Sequence, residues 1–137
     1  MSKEYIESKI PDALRVLQDR FPDGRIPKVY NGYIASLGAA VSQSGLKATL
    51  ALFENRQAGT EKDRSCLTRI ILDILDENHG LPDTGSRECP GGSLLRYVIE
   101  HSGEEERLKE RIIDIAVAVK LALRTFELIE GGQSHGG

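Results

Sequence analysis

Apolar residues recur along this chain at intervals of three and four, the spacing of one helical face, and nowhere alternate as along a half-buried strand. Tyr5, Ile6, Ile10, Ala13, Leu14 and Leu17 mark a first helix in SKEYIESKIPDALRVLQDRF, where Pro11 is either a kink or the first turn of a second piece. Pro22, Asp23 and Gly24 supply turn chemistry, and Pro27 is expected at the first turn of the next helix. Tyr30, Tyr33, Ile34, Leu37 and Val41 make the second apolar face, and Leu46, Leu50 and Phe53 start a third. Between them Gly45 is read as the left-handed residue of a Schellman ending, with Leu46 placed to touch Val41.

The second half follows the same logic. Thr60 with Asp63 is a weak capping box for a helix that buries Leu67, Ile70, Ile71, Ile74 and Leu75 and closes at Gly80. The Pro- and Gly-rich stretch LPDTGSRECPGG is a polar loop, and Ser93 caps the short helix SLLRYVIEHSG. Ser102 and Glu105 give an S-x-x-E box for the longest helix. Its apolar positions Leu108, Ile112, Ile115, Val119, Leu123 and Phe126 run on until Gly131 and Gly132. The pattern predicts an all-α, single-domain bundle of about six helices over residues 1–130, the last helix longest. Residues 131–137, GGQSHGG, read as a flexible Gly-rich tail.

Composition supports this. Aromatics are 5% with no Trp, so the core is aliphatic, which suits helix packing and argues against a base-stacking platform. The net charge of −3 announces no nucleic-acid binder in bulk. Its distribution is uneven. Residues 1–57 carry eight Lys/Arg against six Asp/Glu, residues 58–137 ten against fifteen, and no acid lies between Asp23 and Glu54. Two cysteines, Cys66 and Cys89, with no leader sequence point to a reducing, cytoplasmic setting, and no apolar run is long enough for a membrane span.

Gly32 and Gly38 interrupt the second helix, where each costs roughly 1 kcal/mol relative to Ala. With Ala35, Ser36, Ala39, Ala40, Ser42 and Ser44 they make nearly every position off the apolar stripe small. Such a face admits a close neighbour, either within the bundle or in another copy or partner.

Catalytic and metal chemistry is not found. His79, His101 and His135 with the two cysteines match no ligand spacing, and Cys89 has no His/Asp companion placed by local pattern. A thiol-dependent hydrolase using Cys89 is a distant reading. No enzyme, cofactor or metal is expected. Cations are more informative. Lys120 and Arg124 stand four apart within the otherwise apolar IAVAVKLALRTFELI. They either snorkel from the core edge or, with Lys28, Lys47 and Arg56, contact phosphates.

The stretch YNGYIASLGAAVSQSGLKATLALF, with its Gln43-Ser44-Gly45-Leu46 corner followed by Thr49, Leu50, Ala51 and Phe53, resembles one family. That family is the small, all-helical subunit of type III-B CRISPR RNA-targeting effector complexes, the Cmr or RAMP module. Its closing Trp-Leu-Lys-Arg-Phe-Ala run is echoed by ALRTFE: Leu123, Arg124 and Phe126 fit, while Ala122 replaces the Trp and Thr125 the Arg. The resemblance implies a non-catalytic subunit that stacks in several copies beside the backbone and large subunits and supports the guide RNA–target RNA duplex in antiviral defence. It implies that Gly32, Gly38 and Gly45 serve close packing or assembly, and that the five cations follow the nucleic-acid backbone. The alternative is a helical adaptor or dimerisation module with no nucleic-acid role.

Overall fold

The computed structural model describes residues 3–54, 65–75 and 93–130. They form six α-helices: α1 (Lys3–Arg20), α2 (Val29–Ser44), α3 (Leu46–Phe53), α4 (Ser65–Leu75), α5 (Leu94–Glu100) and α6 (Glu105–Leu123), with a 3-10 turn at Ser102–Glu104. The fold is all-α, and α6, at 19 residues, is the longest helix. Two strands of three residues, β1 (Arg25–Pro27) and β2 (Glu127–Ile129), add a small parallel pair that periodicity did not predict.

Side-chain contacts fix the directions of the long helices. Arg111 of α6 lies over the Tyr5 ring of α1, and Arg25 just after α1 meets Glu127 just after α6, so these two helices run parallel. Lys28 before α2 meets Glu130, whereas Lys47 at the start of α3 meets Glu105 at the start of α6. Helix α2 therefore runs antiparallel to α6. The aliphatic positions read from the sequence fill the space between: Leu17, Leu37, Leu50, Ile70, Ile112, Ile115 and Val119 are each at most 1% exposed. Helix α4 is nearly enclosed, with only Arg69, Asp73 and Leu75 partly exposed among its positions from Cys66 onward. Its Asp73 accepts a 2.9 Å hydrogen bond from Arg20, an ion pair that ties α1 to α4.

Helix ends depart from the sequence reading in instructive ways. Pro11 neither breaks nor starts a helix; α1 passes through it. Both Pro11 and Glu7, whose carbonyl loses its partner, face solvent, so water satisfies the freed group. Pro27 lies in β1, not at the first turn of α2, which starts at Val29 with Lys28 as N-cap. Gly45 has φ 93° and ψ 158°, so it is not the left-handed residue of a Schellman motif but occupies the region open essentially to glycine alone. There it joins two helices without a loop: its amide donates to Val41 and its carbonyl accepts from Thr49.

The Ser102–Glu105 capping box does not form. Ser102 opens the 3-10 turn, and the N-cap of α6, Glu104, makes no side-chain capping bond. Ser93 does cap α5, its hydroxyl accepting from the Arg96 amide at 3.2 Å. A second group joins it there. The Glu54 carboxylate accepts from the Ser93 hydroxyl at 2.6 Å and from the Leu95 amide at 3.2 Å, so the end of α3 also satisfies the start of α5. Helix α6 stops at Leu123, short of the predicted glycines, because the chain turns at residues 124–126 and enters β2. Phe126 still packs against the core from outside the helix. Thr60, Asp63, Gly80, the loop over 81–92 and the tail over 131–137 lie outside the described residues.

Candidate nucleic-acid and assembly surfaces

The five cations singled out in the sequence fall into three groups. Lys28 Nζ is 3.5 Å from Glu130, and Lys47 Nζ is 3.3 Å from Glu105; both charges are engaged by carboxylates. Arg56 lies outside the described residues. Lys120 and Arg124 have no acid within ion-pair distance among the described residues. Lys120 is half-buried and Arg124 exposed, one turn apart at the C-terminal end of α6. The last carbonyls of α6 accept from the amides of residues 124–126, and the helix dipole still makes this end favourable for a cation.

Arg25 stands with Lys28 and Lys47 in the acid-free interval of the sequence but is not among the five cations assigned to phosphates. The parallel register brings it to Glu127, 3.6 Å away, and places Lys28 opposite Glu130. Arg25, Lys28, Lys120 and Arg124 all lie toward the end of the bundle where α6 stops, two with carboxylate partners and two with none among the described residues.

Gly32 is exposed and Gly38 half-buried on α2. A Cβ built at either meets nothing within 4 Å among the described residues. Packing inside the described bundle therefore does not demand glycine at these positions. Gly32 shares its exposure with Ala35, Ser36 and Ala39 on α2, and beyond the corner Ala48 and Leu52 of α3 are exposed, the last by 50%. From Gly32 to Leu52, Lys47 is the one charged residue. The sequence signals for this surface are the small residues off the apolar stripe of α2 and the acid-free interval between Asp23 and Glu54.

His101 caps α5, stacks on Tyr97 with ring centroids 4.2 Å apart, and bonds the Tyr97 carbonyl through Nδ1 at 2.8 Å. Cys66 is buried in α4. His79, Cys89 and His135 lie outside the described residues. Among the described residues no three His, Cys, Asp or Glu side chains gather as a metal site. No described helix is long and apolar enough to cross a membrane.

No curated protein and no solved structure matches the chain at significance. A family model does match, over residues 8–118, and thus runs from within α1 to within α6. On that match the chain belongs to the family described as CRISPR-associated protein (Cas_Cmr5).

Proposed function

We propose that the chain is a non-catalytic structural subunit of a type III-B CRISPR effector complex, stacking in several copies and supporting the guide RNA–target RNA duplex. The observation that carries the RNA part is the Lys120–Arg124 pair, which presents two positive charges with no acid beside them among the described residues. A phosphate contact requires a reachable cation and no competing carboxylate. Sequence is read by pairing between guide and target, so the protein has only to hold shape and backbone. The modest net charge of −3 is compatible with this, because copies side by side present a charged channel that a monomer does not.

The open α2–α3 face is the surface assigned to assembly, with Gly32, Gly38 and Gly45 keeping it low and uncharged. Lys28 and Lys47 contribute to nucleic-acid contact only when their carboxylate partners are displaced.

The test is purification of the tagged protein from its native host, wild type against Lys120→Ala with Arg124→Ala. The wild type brings down larger CRISPR subunits and short guide RNAs. The double variant, in the assembled complex, binds target RNA more weakly, with a log–log salt slope lower by roughly 1–2. Equal affinity and slope would remove the pair from the interface. A single protein partner with no RNA would replace the whole reading by a helical adaptor.

A further inference from the structure

Strand β2 puts two acids onto two cations in one register. Arg25 is the Cα partner of Glu127, and the same offset carried three residues on sets Lys28 opposite Glu130. The ion pairs measure 3.6 Å and 3.5 Å, longer than a tight charged hydrogen bond. All four side chains lie in solvent, from 60% to 66% exposed, so water and salt screen both pairs and they are held weakly.

The strand itself is held by other means. Lys28 N donates to Ile129 O and Glu127 N to Gly24 O, Ile26 is fully buried, and Leu128 packs against the core. Carboxylates can therefore leave the cations without the strand leaving the bundle. Arg124, unpaired among the described residues, precedes β2 by three residues. Asp23 precedes Arg25 by two residues, and its Oδ1 accepts from the Arg25 amide at 3.0 Å.

We infer that β2 is an acidic strap occupying a latent phosphate site: Glu127 and Glu130 stand in for phosphates on Arg25 and Lys28, and an RNA backbone displaces them. The inference rests on the RNA-backbone reading above and extends it to Arg25. Displacement enlarges the basic end from two cations to four. Loose polyanions and counterions meet a surface already half neutralised, whereas a duplex held over Lys120 and Arg124 delivers phosphates at high local concentration and wins the exchange. The strap thus sharpens the preference for RNA presented by an assembly.

The experiment titrates a labelled RNA duplex of random sequence against the full chain over a range of salt. It compares wild type, Glu127→Gln with Glu130→Gln, and that variant with Arg25→Ala and Lys28→Ala added. Circular dichroism verifies the fold of each. The expected result is binding tighter by about three- to tenfold with a salt slope steeper by about one to two, lost again when the cations are removed. Glu4→Gln with Glu7→Gln, the same charge change at the far end of α1, controls for net charge and is expected to change binding far less.

Unchanged affinity and slope, including no binding by either protein, would overturn the strap, as would an equal gain from the control. Lys120→Ala with Arg124→Ala in the same assay separates the two ideas. Weakening there with no strap effect removes the strap alone. A strap effect with no weakening removes the Lys120–Arg124 assignment alone.

Discussion

Thr49 offers the sharpest test of how the core is held. It sits on the buried side of α3 with Leu46, Leu50 and Phe53, is 1% exposed, and its hydroxyl has no hydrogen-bond partner among the described residues. Its own amide takes the Gly45 carbonyl at 3.1 Å, and the hydroxyl does not share that acceptor. An unpartnered buried hydroxyl costs about 1–3 kcal/mol. Thr49→Val replaces it with a methyl of similar volume on the same branched Cβ, so rotamer and helix preferences hardly change. The expected outcome is a gain of about 1–2 kcal/mol, since the methyl adds apolar burial and repacking takes some back. For 137 residues the usual unfolding entropy converts this to a rise in Tm of roughly 3–7 °C. Thermal melts by far-UV circular dichroism, with urea titrations checking that the m-value is constant, measure it. Thr49→Ser keeps the hydroxyl, loses the methyl and is expected to destabilise by about 1 kcal/mol. A Val variant melting at or below wild type would refute the reasoning and show that the hydroxyl is satisfied.

Gly38→Ala, with open space around the new Cβ, is expected to stabilise the isolated chain by about 0.5–1 kcal/mol, read by melting, while lowering stacking measured by sedimentation of the assembled complex. Gly45→Ala, at φ 93°, is expected to cost about 1–3 kcal/mol in the same melts, although space is equally open there. Arg20→Ala breaks the 2.9 Å ion pair between α1 and α4 and is expected to lower stability by about 1–2 kcal/mol in urea titrations. Burial raises the Tyr5 phenol above its ordinary value of 10.0, Arg111 opposing the rise and Asp114 and Asp12 adding to it. The folded chain then keeps that proton more tightly than the unfolded one, so this contribution is whole below pH 10 and disappears as pH climbs through the raised value. Tyr5→Phe should remove that part of the alkaline loss in pH-dependent melts.

Buried faces were legible because a helix repeats its choice every third or fourth residue. Leu37, Val41, Leu50, Ile112 and Ile115 each needed only their neighbours in sequence to be recognised, and all are buried. Helix ends were less legible because one bond decides them. Ser93 and Ser102 look alike in sequence, yet one caps a helix and the other opens a 3-10 turn. Three-residue strands are too short to show alternation, and the partners of Arg25, Lys28 and Lys47 lie far along the chain. Which cation carries an acid is a tertiary fact. Lys120 and Arg124 stood out in the sequence only because their surroundings there are apolar, whereas Gly32 and Gly38 gave no sign of whether their close neighbour lay inside the chain or outside it.

The junction of β1 with β2 also bears on folding order. Its partners are separated by about 100 residues, so pairing them closes a long loop, and the reward, three residue pairs with buried Ile26 and packed Leu128, comes only once the loop is closed. The helices and the α2–α3 corner rest on local bonds and are available earlier. The junction is then among the last contacts made, but once made it is held by Ile26 and Leu128, so the amides of Lys28 and Glu127 should be protected from exchange along with those of the core. A part of the molecule that forms late, yet keeps its backbone while exposed side chains change partners, is where a protein can respond at little cost to its core.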